Sequence, residues 1–372
     1  MKRFERISTI VTAASFTAIL AVGGLLSVFL PKQEIIISER RKAAQLPAFT
    51  ASSLFSGKLM SGIETSLLDT FPARELFRRL EAYSRRYVFR QSDTNGIFIY
   101  DGSAVAIEYP LSESQIAAGC KAINFVTDTY LKGMNIYWSL APDKAYYAAD
   151  KAGCPAIDYD KMLSLISSQI SGEYIDITGT LDLSCYYRTD SHWTQEKILG
   201  AANALMKGMG LAGGLESSDF KINTLSPFYG VYYGQAALPM SPDEIKYLTG
   251  SFLDKAILSR LESDLTFKNY PLYNTEKISD LDPYDIFMNG ACPILVLENP
   301  EATTDKELYL FRDSFGSSLA PLMLKDYSKI TVIDLRYIRN DLIGDYVTFK
   351  EGSDALFIYS TGTWNSGQIL AQ

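Results

Sequence analysis

The chain has 372 residues, of which 47% are hydrophobic and 21% are charged, and its formal net charge at pH 7 is -8. A chain of this length and composition can bury a large core, so we do not expect a disordered protein but one large α/β domain or two smaller ones. We also expect no nucleic-acid partner, because phosphate binding needs a concentrated basic surface and the sequence offers none.

The N-terminus carries a candidate membrane anchor. The residues from Ile7 to Leu30 are all uncharged, and basic residues stand before them at positions 2, 3 and 6. At about 1.5 Å per residue, a helix of this length just crosses a hydrocarbon core roughly 30 Å thick. We interpret residues 1–30 as a basic cytoplasmic tip and a transmembrane signal anchor, which places the rest of the chain outside the cell membrane. A cleaved signal peptide, which leads to a secreted protein, is the alternative.

The remaining chain divides into a short spacer and a folded part. Residues 31–60 are mostly polar and small and show no sustained period, which predicts a juxtamembrane stalk. Residues 61–372 form the predicted α/β domain. Apolar residues recur at helical spacing over positions 64–90, and Phe71-Pro72 interrupts them, so we expect two helical pieces there.

Further along, short apolar runs alternate with helical stretches. This alternation predicts βαβ units and a mostly parallel sheet flanked by helices, with the ligand beyond the carboxyl ends of the strands. The predicted strands are Gly96 to Tyr100, Met134 to Leu140, Glu307 to Phe311, Ile330 to Asp334, and Leu356 to Tyr359.

Cysteine and histidine usage limits the chemistry. The four cysteines lack CxxC spacing, so a metal knuckle is not expected, and one or two disulfides or buried free thiols both remain open. His192 is the only histidine, which excludes a histidine-rich zinc site and means that any imidazole base must be His192. We expect neither a metal nor another cofactor.

The segment around His192 suggests how this imidazole is used. Asp190 precedes it by two residues, and residues i and i+2 of an extended segment face the same way, so the carboxylate can fix the ring tautomer. Thr194 can cap the helix that follows. The alternative is that Asp190 and Thr194 are rival helix caps and that His192 has no catalytic role.

A candidate nucleophile follows the strand that ends near Phe311. Ser314 stands at the turn, and Gly316-Ser317-Ser318 leads into an apparent helix. Backbone N–H groups at such a turn can hold an oxyanion. A helix-capping serine is the alternative. Cys185 is a rival nucleophile, although residues seven positions apart on one extended segment, as Cys185 and His192 are, do not normally meet.

Several ordered blocks together resemble the DHHW family of bacterial proteins, which is similar to the alginate O-acetylation proteins of the SGNH-hydrolase-like class. Single motifs are less specific than such an ordered set. The blocks are Asp69–Arg74, Asn95–Ile99, Ala141–Lys144, Tyr186–Thr194, Phe228–Gly230, Tyr284–Gly290, Arg312–Phe315 and Asp334–Tyr337.

The resemblance implies an SGNH-like fold with Ser314 as nucleophile, His192 as base and Asp190 as orienting carboxylate. It also implies two partners, a membrane-bound acyltransferase that supplies acetyl groups and a polysaccharide acceptor outside the membrane. Two positions depart from the pattern. Ser191 replaces the family's first histidine, and Arg312 replaces the glycine that SGNH hydrolases carry before Asp-Ser, which puts the shape of the oxyanion hole in question.

Further site residues are weaker predictions. The backbone N–H of Ser314 is the first oxyanion candidate, and Tyr233, Asn289 and Gly290 are others, although Asn289-Gly290 is equally typical of a turn. Arg336 follows a strand end and can bind an anionic sugar, or it forms an ion pair.

The leading hypothesis is therefore an extracytoplasmic O-acetyltransferase that acts on a surface or secreted polysaccharide through an acetyl-serine intermediate. An acetylesterase uses the same residues with water as acceptor. A noncatalytic glycan-binding subunit is the third reading, since 24 tyrosines suit sugar stacking.

Overall fold

The structure of the protein is a computed structural model that describes residues 2–29 and 34–369. Leu30 and residues 31–33, where the predicted anchor ends and the predicted stalk begins, lie outside the described residues, as do Met1 and residues 370–372. The chain divides into two compact units. The first comprises the residues up to Asn95 together with Tyr233–Pro239, and the second comprises Gly96–Tyr232 and the residues from Met240 onward.

The described residues form helices and strands throughout both units. The helices are α1 Lys2–Phe29, α2 Ala51–Phe55, α3 Lys58–Thr70, α4 Arg74–Tyr83, α5 Glu113–Tyr130, α6 Lys144–Ala152, α7 Tyr159–Ser167, α8 Leu199–Gly208, α9 Val231–Ala236, α10 Gly316–Met323 and α11 Thr361–Ser366. The strands are β1 Ile35–Ile36, β2 Arg41–Lys42, β3 Asp93–Thr94, β4 Ile97–Tyr100, β5 Ser103–Ala106, β6 Asn135–Ala141, β7 Glu173–Tyr174, β8 Lys221–Phe228, β9 Asp243–Thr249, β10 Ile257–Leu261, β11 Phe267–Tyr270, β12 Ile294–Glu298, β13 Glu307–Arg312, β14 Lys329–Ile333 and β15 Asp354–Ser360.

The first unit contains the long apolar helix. Within α1, the segment Arg6–Ser27 is long and apolar enough to cross a membrane. The prediction of two helical pieces after residue 64 is confirmed, because α3 ends at Thr70 and α4 begins at Arg74, with Pro72 between them. A turn of π-helix over Ser84–Val88 follows α4. Between positions 34 and 60, the chain forms an antiparallel β1–β2 pair, α2 and the start of α3.

The second unit is built on an eight-stranded sheet in the order β11-β10-β12-β14-β13-β15-β6-β7. The strands from β14 to β7 pair in parallel, whereas β11, β10, β12 and β14 pair antiparallel. The predicted sheet is therefore confirmed in part, because four of the seven strand pairings are parallel, but the sheet as a whole is mixed. The antiparallel part follows from the connections. β10 and β11 form a hairpin, and the link from β11 to β12 holds two short 3-10 helices, Thr275–Ser279 and Pro283–Ile286, but no α-helix that would return the chain in parallel.

The predicted strand Gly96 to Tyr100 is also placed differently from the expectation. β4 pairs antiparallel with β5 and is not part of the large sheet. Its turn residues Asp101 and Gly102 both have positive φ, 45° and 70°, as a two-residue hairpin turn requires. The four other predicted strands correspond to β6, β13, β14 and β15.

The large sheet is buried on both faces, and each face packs into its own hydrophobic core. Along β13, Leu308 and Leu310 pack into one core and Tyr309 and Phe311 into another, as the two-residue period of a strand requires. Helices α8 and α10 contribute to the first core, and α5, α7 and α11 to the second. Since β13 and β15 run in parallel, their carboxyl ends, and the loops after them, meet at one edge.

Candidate active site

The turn after β13 fixes the position of Ser314. The preceding residue, Asp313, is buried and accepts hydrogen bonds from the backbone N–H of Phe315 at 3.0 Å and from the N–H of Ser360 at 2.7 Å. Thr363 donates its hydroxyl to the same carboxylate at 2.7 Å. Because Ser360 ends β15 and Thr363 lies in α11, the turn is tied to the neighbouring strand end, and α10 begins directly after it, at Gly316.

Asp190 and His192 meet in a tight loop. Tyr186 pairs with Trp193, and the N–H of Tyr187 donates to the carbonyl of His192 at 3.1 Å, which closes the loop. One carboxylate oxygen of Asp190 accepts from the backbone N–H of His192 at 3.1 Å and contacts Nδ1 of its ring at 2.6 Å. The two side chains therefore meet, as expected, but a turn and not an extended strand brings them together.

The loop that carries Asp190 and His192 meets the turn after β13, and the side chains of Asp190, His192 and Ser314 form a hydrogen-bond relay. Nε2 of His192 lies 2.7 Å from Oγ of Ser314, although 122 residues separate them in sequence. The second carboxylate oxygen of Asp190 accepts from the N–H of Val231 at 2.8 Å. Asp190 is fully buried and His192 is 7% exposed, so solvent competes little for these hydrogen bonds. The geometry is that of a Ser-His-Asp triad.

Two aromatic residues that the sequence analysis did not single out support the relay. The ring of Tyr284 stacks on His192 with centroids 3.9 Å apart and planes at 8°. Nε1 of Trp193 donates to the carbonyl of Phe315 at 3.1 Å and to Oγ of Ser318 at 2.9 Å, and Tyr284 donates its hydroxyl to the same Oγ at 2.9 Å. Trp193 and Tyr284 thus join the histidine loop to the first residues of α10.

A buried lysine holds the backbone of the histidine loop. Lys144, the first residue of α6, is 2% exposed, and its Nζ donates to the carbonyls of Tyr187, Arg188 and Asp190 at 2.8, 3.1 and 3.1 Å. Burial lowers the pKa of Lys144 to about 7, although the negative charges of Asp190 and Asp243 act in the opposite direction. Its place in the Ala141–Lys144 block was the only sequence signal for it.

The helix-cap prediction for Thr194 is wrong. The residue precedes a short 3-10 helix, Gln195–Lys197, and α8 begins only at Leu199. Its side chain makes no capping hydrogen bond, and its hydroxyl is buried without a protein partner among the described residues. Asp190, the rival cap, binds His192 and Val231 instead.

Asn289 and Gly290 form a turn, and their contacts do not favour an oxyanion role. Both have positive φ, 63° and 82°. The side chain of Asn289 donates to the carbonyl of Pro271 at 2.9 Å and accepts from Asn274 at 2.8 Å. A Cβ at Gly290 has no space because the carboxylate of Asp285 fills it. By contrast, the backbone N–H of Ser314 donates no hydrogen bond within the described residues.

The other predicted site residues lie in different surroundings. Tyr233 belongs to the first unit, where Arg79 donates to its hydroxyl at 3.2 Å. Arg336 forms a two-point ion pair with Asp334 at 2.8 and 2.7 Å, which is the structural alternative to sugar binding. Arg312 is also buried and donates to Asp334 at 3.4 Å. Its side chain therefore points towards Asp334, a neighbouring strand end.

Burial also bears on the rival nucleophile, Cys185. All four cysteines are free thiols, and burial raises the pKa of Cys185, which disfavours a reactive thiolate. In the part of the chain that the structure describes, no three His, Cys, Asp or Glu side chains are grouped to hold a metal. A polar cavity of about 490 Å³ is lined by Tyr187, Arg188 and Lys246 among others, but not by the triad residues.

Comparison with known proteins identifies a family that this chain resembles. The model of the DHHW protein family matches residues 160–333, which include all three triad residues. The expected resemblance to the DHHW proteins is therefore confirmed. A comparison with curated proteins finds no significant match.

Two of the solved structures that match this chain share its fold, with TM-scores above 0.5. A DHHW family protein from Eubacterium siraeum is 20% identical, with a TM-score of 0.58 over 75% of this chain and 97% of that one. Bacillus cereus PatB1 with a sulfonyl adduct is 16% identical, with a TM-score of 0.58 over 73% of this chain and 97% of that one. The O-acetyltransferase domain of Pseudomonas putida AlgJ is 13% identical, with a TM-score of 0.45 over 73% and 92% of the two chains.

Proposed function

We propose that this chain, with its DHHW region over residues 160–333, is an O-acetyltransferase that acts on a cell-surface or secreted polysaccharide outside the cell membrane. The observation that carries the proposal is the relay from Asp190 through His192 to Ser314, with contacts of 2.6 and 2.7 Å. A serine hydroxyl is a weak nucleophile unless a base takes its proton, and the sole imidazole of the chain is in contact with it.

In the first half-reaction, Oγ of Ser314 attacks the carbonyl carbon of an acetyl donor while Nε2 of His192 takes the hydroxyl proton. Asp190 holds Nδ1 and stabilises the imidazolium that forms. When the tetrahedral intermediate collapses, the bond from the carbonyl carbon to the donor's leaving group breaks, and the leaving group receives the proton from His192. The product is acetyl-Ser314.

In the second half-reaction, a sugar hydroxyl attacks the acetyl carbon and gives its proton to His192. Oγ of Ser314 then leaves and takes that proton back, so the enzyme returns to its starting state and the sugar carries the acetyl ester. If water replaces the sugar, the products are acetate and free enzyme, and the protein is an acetylesterase.

The free N–H of Ser314 is the best-supported oxyanion donor. A backbone donor beside the nucleophile is aimed at the carbonyl oxygen that becomes negative in the tetrahedral intermediate. Arg312, which replaces glycine before Asp-Ser, is 1% exposed and directed towards Asp334. The guanidinium of Arg312 therefore has a partner at a neighbouring strand end, which supports Ser314 as the oxyanion donor in spite of the substitution.

The N-terminal segment supports the proposed location. Helix α1 contains the span Arg6–Ser27, and an anchor with its N-terminus in the cytoplasm leaves the triad outside the membrane. Acetyl donors are made inside the cell, so a partner must export the acetyl group. We propose a membrane-bound acyltransferase as that source and a polysaccharide as the acceptor.

The test is product analysis with the purified full chain and an activated acetyl ester. The transferase reading predicts that an acceptor oligosaccharide gains acetyl groups and that the release of free acetate falls as the oligosaccharide concentration rises. Release of acetate alone, unaffected by oligosaccharide, identifies an esterase. If the unsubstituted protein and Ser314→Ala turn over the donor at equal rates, neither the transferase nor the esterase hypothesis holds. The hypothesis of a noncatalytic glycan-binding subunit then remains.

A further inference from the structure

Helix α4 exposes its apolar side and packs its charged side inward. Leu76, Phe77, Leu80 and Tyr83 are 45–55% exposed, whereas the charged side chains of Arg74 and Arg78 are only 21% and 22% exposed. A surface helix of a water-soluble unit normally shows the reverse arrangement. The inverted exposure of α4 therefore indicates a surface that another apolar phase covers.

Polar contacts fix this orientation of α4. Glu75 accepts a hydrogen bond from Ser38 at 2.9 Å, Arg78 donates to the carbonyl of Gly234 at 2.8 Å, and Arg74 pairs with Glu39. All these partners belong to the first unit. Rotating the helix to bury its leucines would break these contacts. The contacts therefore hold the apolar side of α4 outward.

Helix α3 follows the same rule. Its buried residues include Ser66 and Asp69, and Arg41 donates to both carboxylate oxygens of Asp69 at 2.6 and 2.7 Å. Its exposed side chains include Met60 and Leu68. Two consecutive helices thus present apolar residues outward, which is more than the scattered exposed leucines of an ordinary surface.

This surface begins next to the candidate membrane span. Phe71, between α3 and α4, lies so close to Gly23 of α1 that a side chain at that glycine has no space. Gly23 is four residues from the end of the span Arg6–Ser27. The apolar sides of α3 and α4 therefore start where α1 approaches one boundary of the membrane.

The charges near this surface suit a lipid boundary with anionic headgroups. Besides Arg74 and Arg78, which pair inward, the segment up to Arg90 contains four more arginines, and it also contains Tyr83 and Tyr87. Arginine and tyrosine beside exposed leucine and phenylalanine are typical of helices that lie in the membrane interface.

We propose that the apolar sides of α3 and α4 lie in the headgroup boundary of an anionic bilayer, beside the α1 anchor. This inference rests on the anchored location in the proposed function, but not on acetyl transfer. The surface holds the first unit against the lipid instead of leaving it on a free stalk.

The test introduces a tryptophan on this surface and measures, by fluorescence quenching, whether lipid or water surrounds it. The full chain carrying Leu80→Trp is reconstituted in vesicles of phosphatidylcholine and phosphatidylglycerol, with acyl chains brominated near the headgroup end. The three native tryptophans, Trp138, Trp193 and Trp364, are at most 2% exposed, so the unsubstituted chain supplies a constant background. We expect brominated lipid to quench most of the added emission and aqueous acrylamide to quench little of it.

Leu265→Trp is the matched control, because Leu265 is 62% exposed at the tip of the β10–β11 hairpin in the second unit. There we expect quenching by acrylamide and not by brominated lipid. Leu76→Trp repeats the test on the same side of α4 if Leu80→Trp does not fold. Emission at position 80 that acrylamide quenches and lipid does not overturns the proposal. So does emission shielded from both quenchers, which indicates a protein cover. Neither readout depends on acetyl transfer.

Discussion

The imidazole of His192 lies flat against the phenol ring of Tyr284, with 3.9 Å between ring centroids and 8° between ring planes. The hydroxyl of Tyr284 donates to Ser318, so the ring cannot rotate freely. The hydrogen bond to Asp190 fixes the position of Nδ1. The stacked ring of Tyr284 fixes the tilt of the imidazole plane. Together they aim Nε2 at the hydroxyl of Ser314.

Replacing Tyr284 tests whether this stacking positions the base. We expect Tyr284→Leu to lower kcat by roughly 10- to 100-fold, because small displacements of a catalytic group are costly, while KM changes little. Tyr284→Phe keeps the stack and loses one hydrogen bond, so its kcat should stay close to the original and its stability should fall by about 1 kcal/mol. Steady-state kinetics with an activated acetyl ester measure both. Equal losses of kcat in the two variants would mean that the hydroxyl, and not the ring, matters.

A sulfonyl fluoride tests the nucleophile without any acceptor. Oγ of Ser314 should form a bond to sulfur, fluoride should leave, and His192 should take the serine proton. Peptide mass spectrometry should find the adduct on the peptide that contains Ser314 and find none in Ser314→Ala. We expect Asp190→Asn to slow labelling by roughly 1,000-fold or more, since the wrong tautomer of His192 is then favoured.

Ser317→Ala is the control for labelling, because Ser317 lies one turn away in α10 and is outside the relay. It should label at the original rate. Labelling that persists in Ser314→Ala at the same rate would remove Ser314 as the nucleophile.

The sequence predicted which polar side chains meet better than it predicted the residues that support them. Asp190, His192 and Ser314 were predictable because a lone imidazole, a carboxylate two residues away and a serine after an apolar strand are local patterns. Tyr284 and Lys144 were not singled out, because their roles depend on contacts with residues about 40 to 90 positions away in the chain. β11 was missed because this edge strand carries polar residues such as Lys268 and Asn269, and β10 was missed because Ser259 and Arg260 interrupt its apolar run.

Gly290→Ala separates the turn reading of this residue from an oxyanion role. Its φ of 82° and the carboxylate of Asp285 both oppose a side chain, so we expect a loss of roughly 1–3 kcal/mol in the free energy of unfolding. Gly352→Ala is the control, because Gly352 has a φ of 76° and open space around its Cα, and it should lose about 1 kcal/mol. Urea unfolding followed by tryptophan fluorescence measures both. A large loss of kcat with unchanged stability would instead support the oxyanion role.

Lys144 makes the stability of the second unit depend on pH. Burial lowers the pKa of Lys144 to about 7 in the folded protein, against an ordinary value of 10.5 in the unfolded chain. Between these values the unfolded chain binds more protons at this residue than the folded one, so the contribution of Lys144 to stability rises with pH, by at most about 1.4 kcal/mol per pH unit. Below about pH 7 both states are protonated and the contribution no longer changes.

Lys144→Met removes the titrating group while keeping a long side chain, so the difference between the two proteins isolates this effect. We expect the urea midpoint of the unsubstituted chain, relative to that of Lys144→Met, to rise between pH 7 and pH 9. Trp138, Trp193 and Trp364 are buried in the second unit and report its unfolding. A difference that is constant over this range, or that falls, would show that the three carbonyl acceptors keep Lys144 charged in the fold and outweigh its burial.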